Sequence, residues 1–281
     1  MNRIRSLPYI LLLAAASAQG GTFAPDFTSA DTSSFTLNGA GTLSDQSAWM
    51  PFIATNRLIL TVNQNNLNGS FSPYEFDSGN PILAFTASFQ LQFGPGSGQP
   101  ADGLALSFGP DINQYSTTYS EAGAGGTAFA VSFHTYTSSG GPAVDVYLHG
   151  QRIAHAPVAL ADMVNSQMQD VVIKLNQNST LDISYRGQPV LTNLYLEGWG
   201  PSLSYFIFSG RTGGENEVIA LANVRIDTTT YTTPVAPTVT AAPKNVTVNE
   251  GDAASFSVNF DGTGPFTIQW RKNGNPIQDA T

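Results

Sequence analysis

The chain has no cysteine. That excludes disulfides, thiolate zinc sites, a cysteine nucleophile and a lipidated-cysteine anchor. Charge is scarce, at 11% of residues, and positive charge scarcer still, with Lys+Arg 11 against Asp+Glu 20. Phosphate backbones are bound by clustered Lys and Arg, so the balance argues against nucleic acid as a partner. Beyond the N-terminal residues no stretch is long and apolar enough to cross a bilayer, so no membrane insertion is expected in the visible chain. Helical periodicity is confined to a short segment around Leu160–Gln169. In place of all these stand 27 glycines, 17 prolines and much Ser, Thr and Asn. Such a composition suits short strands joined by many turns. The 281 residues hold one large domain, or one plus part of a second.

Asn2-Arg3-Ile4-Arg5 is a short basic start, Leu7 to Ala16 an apolar run interrupted by Pro8, and Ala16-Ser17-Ala18 a small-x-small cleavage pattern. Together they predict a signal peptide over residues 1–18 and a secreted or cell-surface protein. The apolar run falls short of the ~20 residues of a membrane span. Losing Arg3 and Arg5 with the leader moves the formal charge from −9 to −11. An exported chain without cysteine points to a bacterial source, where the sequons at Asn68, Asn178 and Asn245 are without consequence.

From Phe23 to Asp227 apolar residues recur with period two. Leu83, Phe85, Ala87, Phe89, Leu91 and Phe93 alternate with polar Thr86, Ser88, Gln90 and Gln92, which predicts a long strand with one buried face. Leu104, Leu106 and Phe108 repeat the pattern, as do Phe129, Val131 and Phe133, then Val144, Val146 and Leu148. Val171–Leu175 and Leu181–Tyr185 form a hairpin across residues 176–179, while His149-Gly150 and Arg186-Gly187 are tight turns. About ten strands in ~200 residues make a two-sheet sandwich or a barrel. Thr228–Thr238, rich in Thr and Pro, reads as an extended linker. After it, Ala254, Phe256, Val258 and Phe260 alternate with polar residues, and Trp270 and Lys272-Asn273-Gly274 follow.

That tail resembles the start of an immunoglobulin-like domain, with Val258 where the family's first disulfide cysteine would stand and Trp270 as its core tryptophan. The resemblance covers residues 239–281 and implies that the later strands, and further domains, lie C-terminal to Thr281. The large region, 23–227, resembles the L-type (legume-type) lectins. Four stretches carry it: Phe35–Gly39, Ala101–Phe108, Ala130–Tyr136 and Phe208–Glu217. Of these Ala101-Asp102-Gly103-Leu104-Ala105 is the most specific. The implied fold class is all-β, a concanavalin A-like jelly-roll sandwich followed by a truncated immunoglobulin-like β-sandwich.

The resemblance also implies a sugar site. Asp102, after an unusual cis peptide, would accept hydroxyl protons, as an ionised carboxylate does well. Gly103 beside it leaves room for close backbone approach. Gly125 or Gly126 would donate a backbone N–H to the same sugar. Tyr136 offers a ring face for stacking, Ser138 replaces the family's loop Asn, and Gly213, Gly214 and Glu215, with Asn216, would form the loop that selects the ligand. The family's metal site is altered: Ser132 replaces its Glu, His134 its bridging Asp, and Gly141-Pro142 its Asp-Pro. Calcium takes six to eight oxygens, several from carboxylates, so no metal and no cofactor are expected.

Two catalytic readings are weaker. Glu75-Phe76-Asp77 lacks the second Glu of the glucanases that share the jelly roll. His134, His149 and His155 lie near Asp145 in sequence, but there is no Gly-x-Ser-x-Gly elbow. The expectation is a non-catalytic carbohydrate-binding module for extracellular glycan or polysaccharide, within a larger bacterial protein. A structural or adhesive jelly roll that has lost its ligand site, and a degenerate glucanase, are the alternatives.

Overall fold

Period-two alternation becomes two antiparallel sheets facing one another. The computed structural model describes residues 9–12, 17–126, 128–137, 140–232, 235–262 and 266–278. It divides into a large unit, Gln19–Tyr231, and a small one, Met1–Ala18 with Thr232–Thr281. With strands numbered in chain order, the front sheet of the large unit runs β11 (Gln151–Pro157), β10 (Ala143–Leu148), β9 (Phe129–His134), β8 (Gly103–Gly109), β15 (Tyr205–Arg211), β6 (Asn68–Pro73) and β3 (Phe35–Ala40). The back sheet runs β14 (Gln188–Tyr195), β13 (Thr180–Tyr185), β12 (Gln169–Leu175), β7 (Ile82–Gly96), β16 (Glu217–Tyr231), β5 (Arg57–Thr61) and β4 (Phe52–Ala54), with β2 (Ser17–Phe23) added on β16.

The inner faces meet in a phenylalanine-rich core. Leu104, Leu106 and Phe108 of β8 and Phe206 and Phe208 of β15 oppose Phe85, Phe89 and Phe93 of β7, all buried. Phe108 lies 4.5 Å from Phe206 and 4.9 Å from Phe85 between ring centroids, within the range of favourable aromatic pairs. The expected tight turns are present. His149-Gly150 and Arg186-Gly187 each take positive φ at both residues, the two-residue geometry that matches strand twist.

The central strands of the front sheet are buried on both faces. Every residue of β8 and β9 is buried, including the outward Ala105, Ser107, Ala130 and Ser132. Residues 110–126 lie across them, and a row of small polar side chains fastens this loop. Asn38 Nδ2 donates to Gln114 O (2.9 Å), Asn68 Nδ2 to Tyr119 O (2.7 Å), Ser70 Oγ to Ser116 O (3.0 Å) and Ser209 Oγ to Ser120 O (2.8 Å). Ser132 Oγ donates to Glu121 O, and Ser107 Oγ accepts from Ala124 N at 2.9 Å. Small side chains let the loop come close, and their hydroxyls satisfy backbone groups that would otherwise be buried unpaired.

Three sequence expectations need correction. The linker starts later than Thr228: β16 runs to Tyr231, Thr228 and Thr230 are buried, and Thr228, Thr229 and Thr230 pair with Phe85, Ala84 and Ile82 of β7. Threonine is β-branched and fits a strand, so its abundance there signals sheet. The helix around Leu160–Gln169 shrinks to one turn, Leu160–Met163, because Val164 is extended and β12 begins at Gln169. In the small unit, the alternating Ala254–Phe260 segment is strand only from Asn259, in β18 (Asn259–Asp261), which pairs with β17 (Thr238–Ala241).

Elsewhere in the small unit β20 (Arg271–Lys272) pairs with β21 (Asn275–Pro276) around the Asn273-Gly274 turn, and Phe256 lies 6.5 Å from Trp270 between ring centroids. Within it also β1 (Tyr9–Leu12), inside the expected leader, pairs with β19 (Phe266–Gln269).

Phe108→Ala, which empties the centre of the aromatic cluster, is expected to cost about 3–5 kcal/mol. Urea unfolding of the two proteins measures it.

Candidate functional site

At the Gly103 end of β8, three segments distant in sequence meet. Asp102 precedes the strand and is joined to Ala101 by a cis peptide, as the lectin resemblance implied. Its N–H donates to Arg211 O (2.9 Å), and its own carbonyl accepts from Thr135 N (3.1 Å). Asp102 is thereby held between the ends of β15 and β9. Gly103 has φ +129°, and a Cβ there would lie 2.1 Å from Phe133 O. The room that glycine leaves is therefore taken by β9.

Arg211 ends β15. Its guanidinium makes a two-point contact with Glu121, Nε to Oε2 at 2.9 Å and Nη2 to Oε1 at 3.1 Å. Nη2 also lies 3.1 Å from Asp102 Oδ2. That contact is an ion pair out of hydrogen-bond alignment, so Oδ2 is buried with no hydrogen-bond partner. Side-chain exposure is 13% for Asp102, 13% for Glu121 and 44% for Arg211, so the cation forms the outer part of the triad. Burial pushes the Asp102 carboxyl above the usual carboxylate range; Arg211 pulls it back and Glu121 adds to the rise.

Beneath this triad lies Glu217, the first residue of β16, with no exposed surface. Thr135 Oγ1 donates to its Oε1 at 2.5 Å, while Oε2 is buried without a hydrogen-bond partner. Burial pushes this carboxyl up to about 8, against the Thr135 hydrogen bond and with the help of the nearby Asp102 charge. Thr135 thus joins the two acids, its N–H on Asp102 and its hydroxyl on Glu217.

The expected site residues divide. Asp102, Gly103, Tyr136 and Gly213 share this end of the sheet. Tyr136 is half-buried and follows Thr135. Gly213 lies against Asp102, where a Cβ would come 2.9 Å from Oδ2. The loop after β15 is tied down: Asn66 N donates to Gly213 O (3.0 Å), Asn65 Nδ2 to Gly214 O (2.7 Å) and Asn216 N to Ser97 Oγ (3.0 Å). Glu215 sits half-exposed within it. Ser138 lies outside the described residues.

Gly125 and Gly126 are a correction. A Cβ on Gly126 would meet Asp111, and one on Gly125 would meet nothing within 4 Å. Asp111 follows the far end of β8, roughly 20 Å from Asp102 at ~3.3 Å per strand residue. The loop reaches toward Asp102 at Glu121 and folds back, so its glycines return to the wrong end. Glu121, Arg211 and Glu217 are the site residues that sequence reasoning missed.

The family's metal position does not suit a metal here. His134 Nε2 lies 3.1 Å from Ser132 Oγ, 3.3 Å from Tyr147 Oη and 3.6 Å from Asp145 Oδ2. Burial holds this imidazole below its usual range, against the pull of Asp145. Asp145, the one carboxylate of this group, is already engaged by His155 Nδ1 (2.6 Å) and Arg152 Nη1 (3.3 Å). Calcium needs six to eight oxygens, and among the described residues no group of three or more His, Cys, Asp or Glu is placed to hold a metal.

Nor do Ser132, His134 and Asp145 form a catalytic relay. The serine and the aspartate approach the same ring nitrogen, whereas a triad uses both. Glu75 and Asp77 are structural acceptors. Glu75 Oε1 takes the N–H groups of Asp77 (2.6 Å) and Gly79 (3.0 Å), and Asp77 Oδ1 takes Gly21 N–H (2.8 Å) and the Thr228 hydroxyl.

Residues 237–281 match the immunoglobulin I-set domain. No curated protein matches the chain in sequence. In structure the chain is similar to the Bauhinia forficata lectin in complex with GalNAc, at 18% identity and TM-score 0.55, covering 77% of this chain and 100% of that one. It is similar also to lectin UEA-II complexed with galactose, at 17% identity and TM-score 0.56, covering 76% and 100%. The calcium-bound exoplasmic/lumenal domain of VIP36 matches at 13% identity and TM-score 0.53, covering 88% and 100%. At these identities the likeness shows the fold, a legume-lectin jelly roll.

Glu217 generates a prediction. An acid whose folded pKa is raised from 4.5 to about 8 favours the folded state below 4.5, and that contribution is lost as pH rises from about 4.5 to about 8. Glu217→Gln keeps the shape and the Thr135 contact but cannot ionise. It is expected to remove this slope and to be more stable than the parent at pH 8, by on the order of a few kcal/mol. Denaturant unfolding at pH 5 and pH 8 compares the two.

Proposed function

We propose that the large unit is a non-catalytic, lectin-like carbohydrate-binding module of an exported bacterial surface or extracellular protein, with Asp102 as its central acceptor. The observation that carries this reading is the placement of the Asp102 carboxylate, partly exposed at the rim of a lectin jelly roll, with Gly213 against it and Tyr136 directly after its Thr135 support. A carboxylate beside an aromatic ring suits a sugar, whose hydroxyls donate to the acid and whose C–H face packs on the ring. The fold neighbours include lectins solved with GalNAc and with galactose. Export rests on the basic and apolar leader residues and the Ala16-Ser17-Ala18 pattern. The partner is an extracellular glycan or polysaccharide.

One observation favours a second reading, a structural or adhesive domain without a ligand. Arg211 already stands against Asp102 Oδ2, which occupies half of the acceptor. A glycan array probed with the full chain separates the two. The lectin reading expects binding that Asp102→Ala abolishes, and binding that survives this change removes Asp102 from the site. Silence across the array supports the structural reading. Release of reducing sugar from β-glucan would instead make the protein a hydrolase.

A further inference from the structure

Oδ2 of Asp102 is sealed from solvent, so the exposed part of that side chain lies on the Oδ1 side. Arg211 turns its Nε and Nη2 toward Glu121 and its Nη2 toward Asp102, and with 44% of its side chain exposed it leaves the Nη1 side of the guanidinium for another partner. The rim thus offers one acceptor and one cationic donor side by side.

This pair is built in. Glu121 is fixed through its own carbonyl by buried Ser132, and the residue before it by buried Ser209. Arg211 is fixed through its carbonyl by Asp102 N–H. The guanidinium is therefore held on both its backbone and its side-chain ends.

We propose that Arg211 is a specificity-determining residue of the sugar site, donating to the hydroxyl next to the one that Asp102 accepts, and that Glu121 is the positioning residue that reserves it for neutral sugars. The proposal rests on the lectin reading above and names its ligand class: neutral glycans with an exposed vicinal diol. Two adjacent hydroxyls meet an acceptor and a donor in opposite senses, one giving its proton to Asp102 Oδ1 and the other receiving one from Arg211 Nη1. A carboxylate-bearing sugar would also suit a guanidinium. Here, however, the one cation already faces two carboxylates, Asp102 and Glu121, with Glu215 in the adjoining loop. The local balance is negative, and a uronate is repelled.

The test uses the full chain and an array of neutral glycans paired with their C6-oxidised uronate forms. The parent is expected to bind neutral members alone. Arg211→Lys keeps the charge but loses the planar fork, and should weaken neutral binding by about tenfold. Glu121→Gln keeps the shape and removes one of the two carboxylates facing the cation. It should raise the ratio of uronate to neutral binding by about tenfold or more. Thermal unfolding identifies any variant that does not fold, in which case the other decides.

If folded variants keep the parent's affinities and ratio while Asp102→Ala binds nothing, the inference is overturned and the lectin reading stands. If Glu121→Gln lowers neutral and uronate binding alike, its role is structural only and the inference is again overturned. If the parent binds no glycan, both fall together.

Discussion

The large unit depends on one constraint: the central strands of its front sheet are buried on both faces, so every polar group on their outer face needs a partner within the protein. A simple sandwich leaves that face to water. Here the loop over residues 110–126 covers its central strands, and Asn38, Asn68, Ser70, Ser107, Ser132 and Ser209 each make a hydrogen bond to the loop's backbone. The site follows from this arrangement. The loop brings Glu121 to Arg211, Arg211 meets Asp102, and Asp102 is tied through Thr135 to Glu217.

The protein has a legume-lectin jelly roll, and on its front sheet a cluster of its own side chains is mutually satisfied. Asp145 gathers His155 and Arg152, and His134 leans on Ser132 and Tyr147. Asp102 has a guanidinium at its side, and Thr135 links it to Glu217, whose carboxyl has no exposed surface and is pushed up to about 8 by that burial.

Much of the fold was legible because strand chemistry is local. Alternation in Leu83–Phe93, the two-residue turns at His149-Gly150 and Arg186-Gly187, and the Ala101–Phe108 stretch all read directly. Asp102 was singled out by the lectin resemblance, which its neighbours in sequence carry. Glu121 and Arg211 were not, because 90 residues separate them and only the path of the covering loop joins them. A signal was present all the same: the outward residues Ala105, Ser107, Ala130 and Ser132 are all small, which is what a strand needs when another segment lies on it. The glycines at 125 and 126 misled because spacing says that a loop turns, and says nothing about which end of the strand it returns to. Thr228–Thr230 misled because threonine serves both linkers and strands, and pairing with β7 decided between them.

The late start of the linker has a mechanical consequence. β16 is a 15-residue strand inside the back sheet, bonded to β7 along one side and to β5 and β2 on the other, and the chain leaves it directly for the second unit. Antiparallel ladder bonds lie perpendicular to the strand axis. Traction on the chain beyond Tyr231 therefore loads these bonds in shear, many at once, instead of peeling them one at a time. The strand that carries the buried Glu217 at one end is, at the other, the anchor through which the large unit would resist traction on the chain that leaves it.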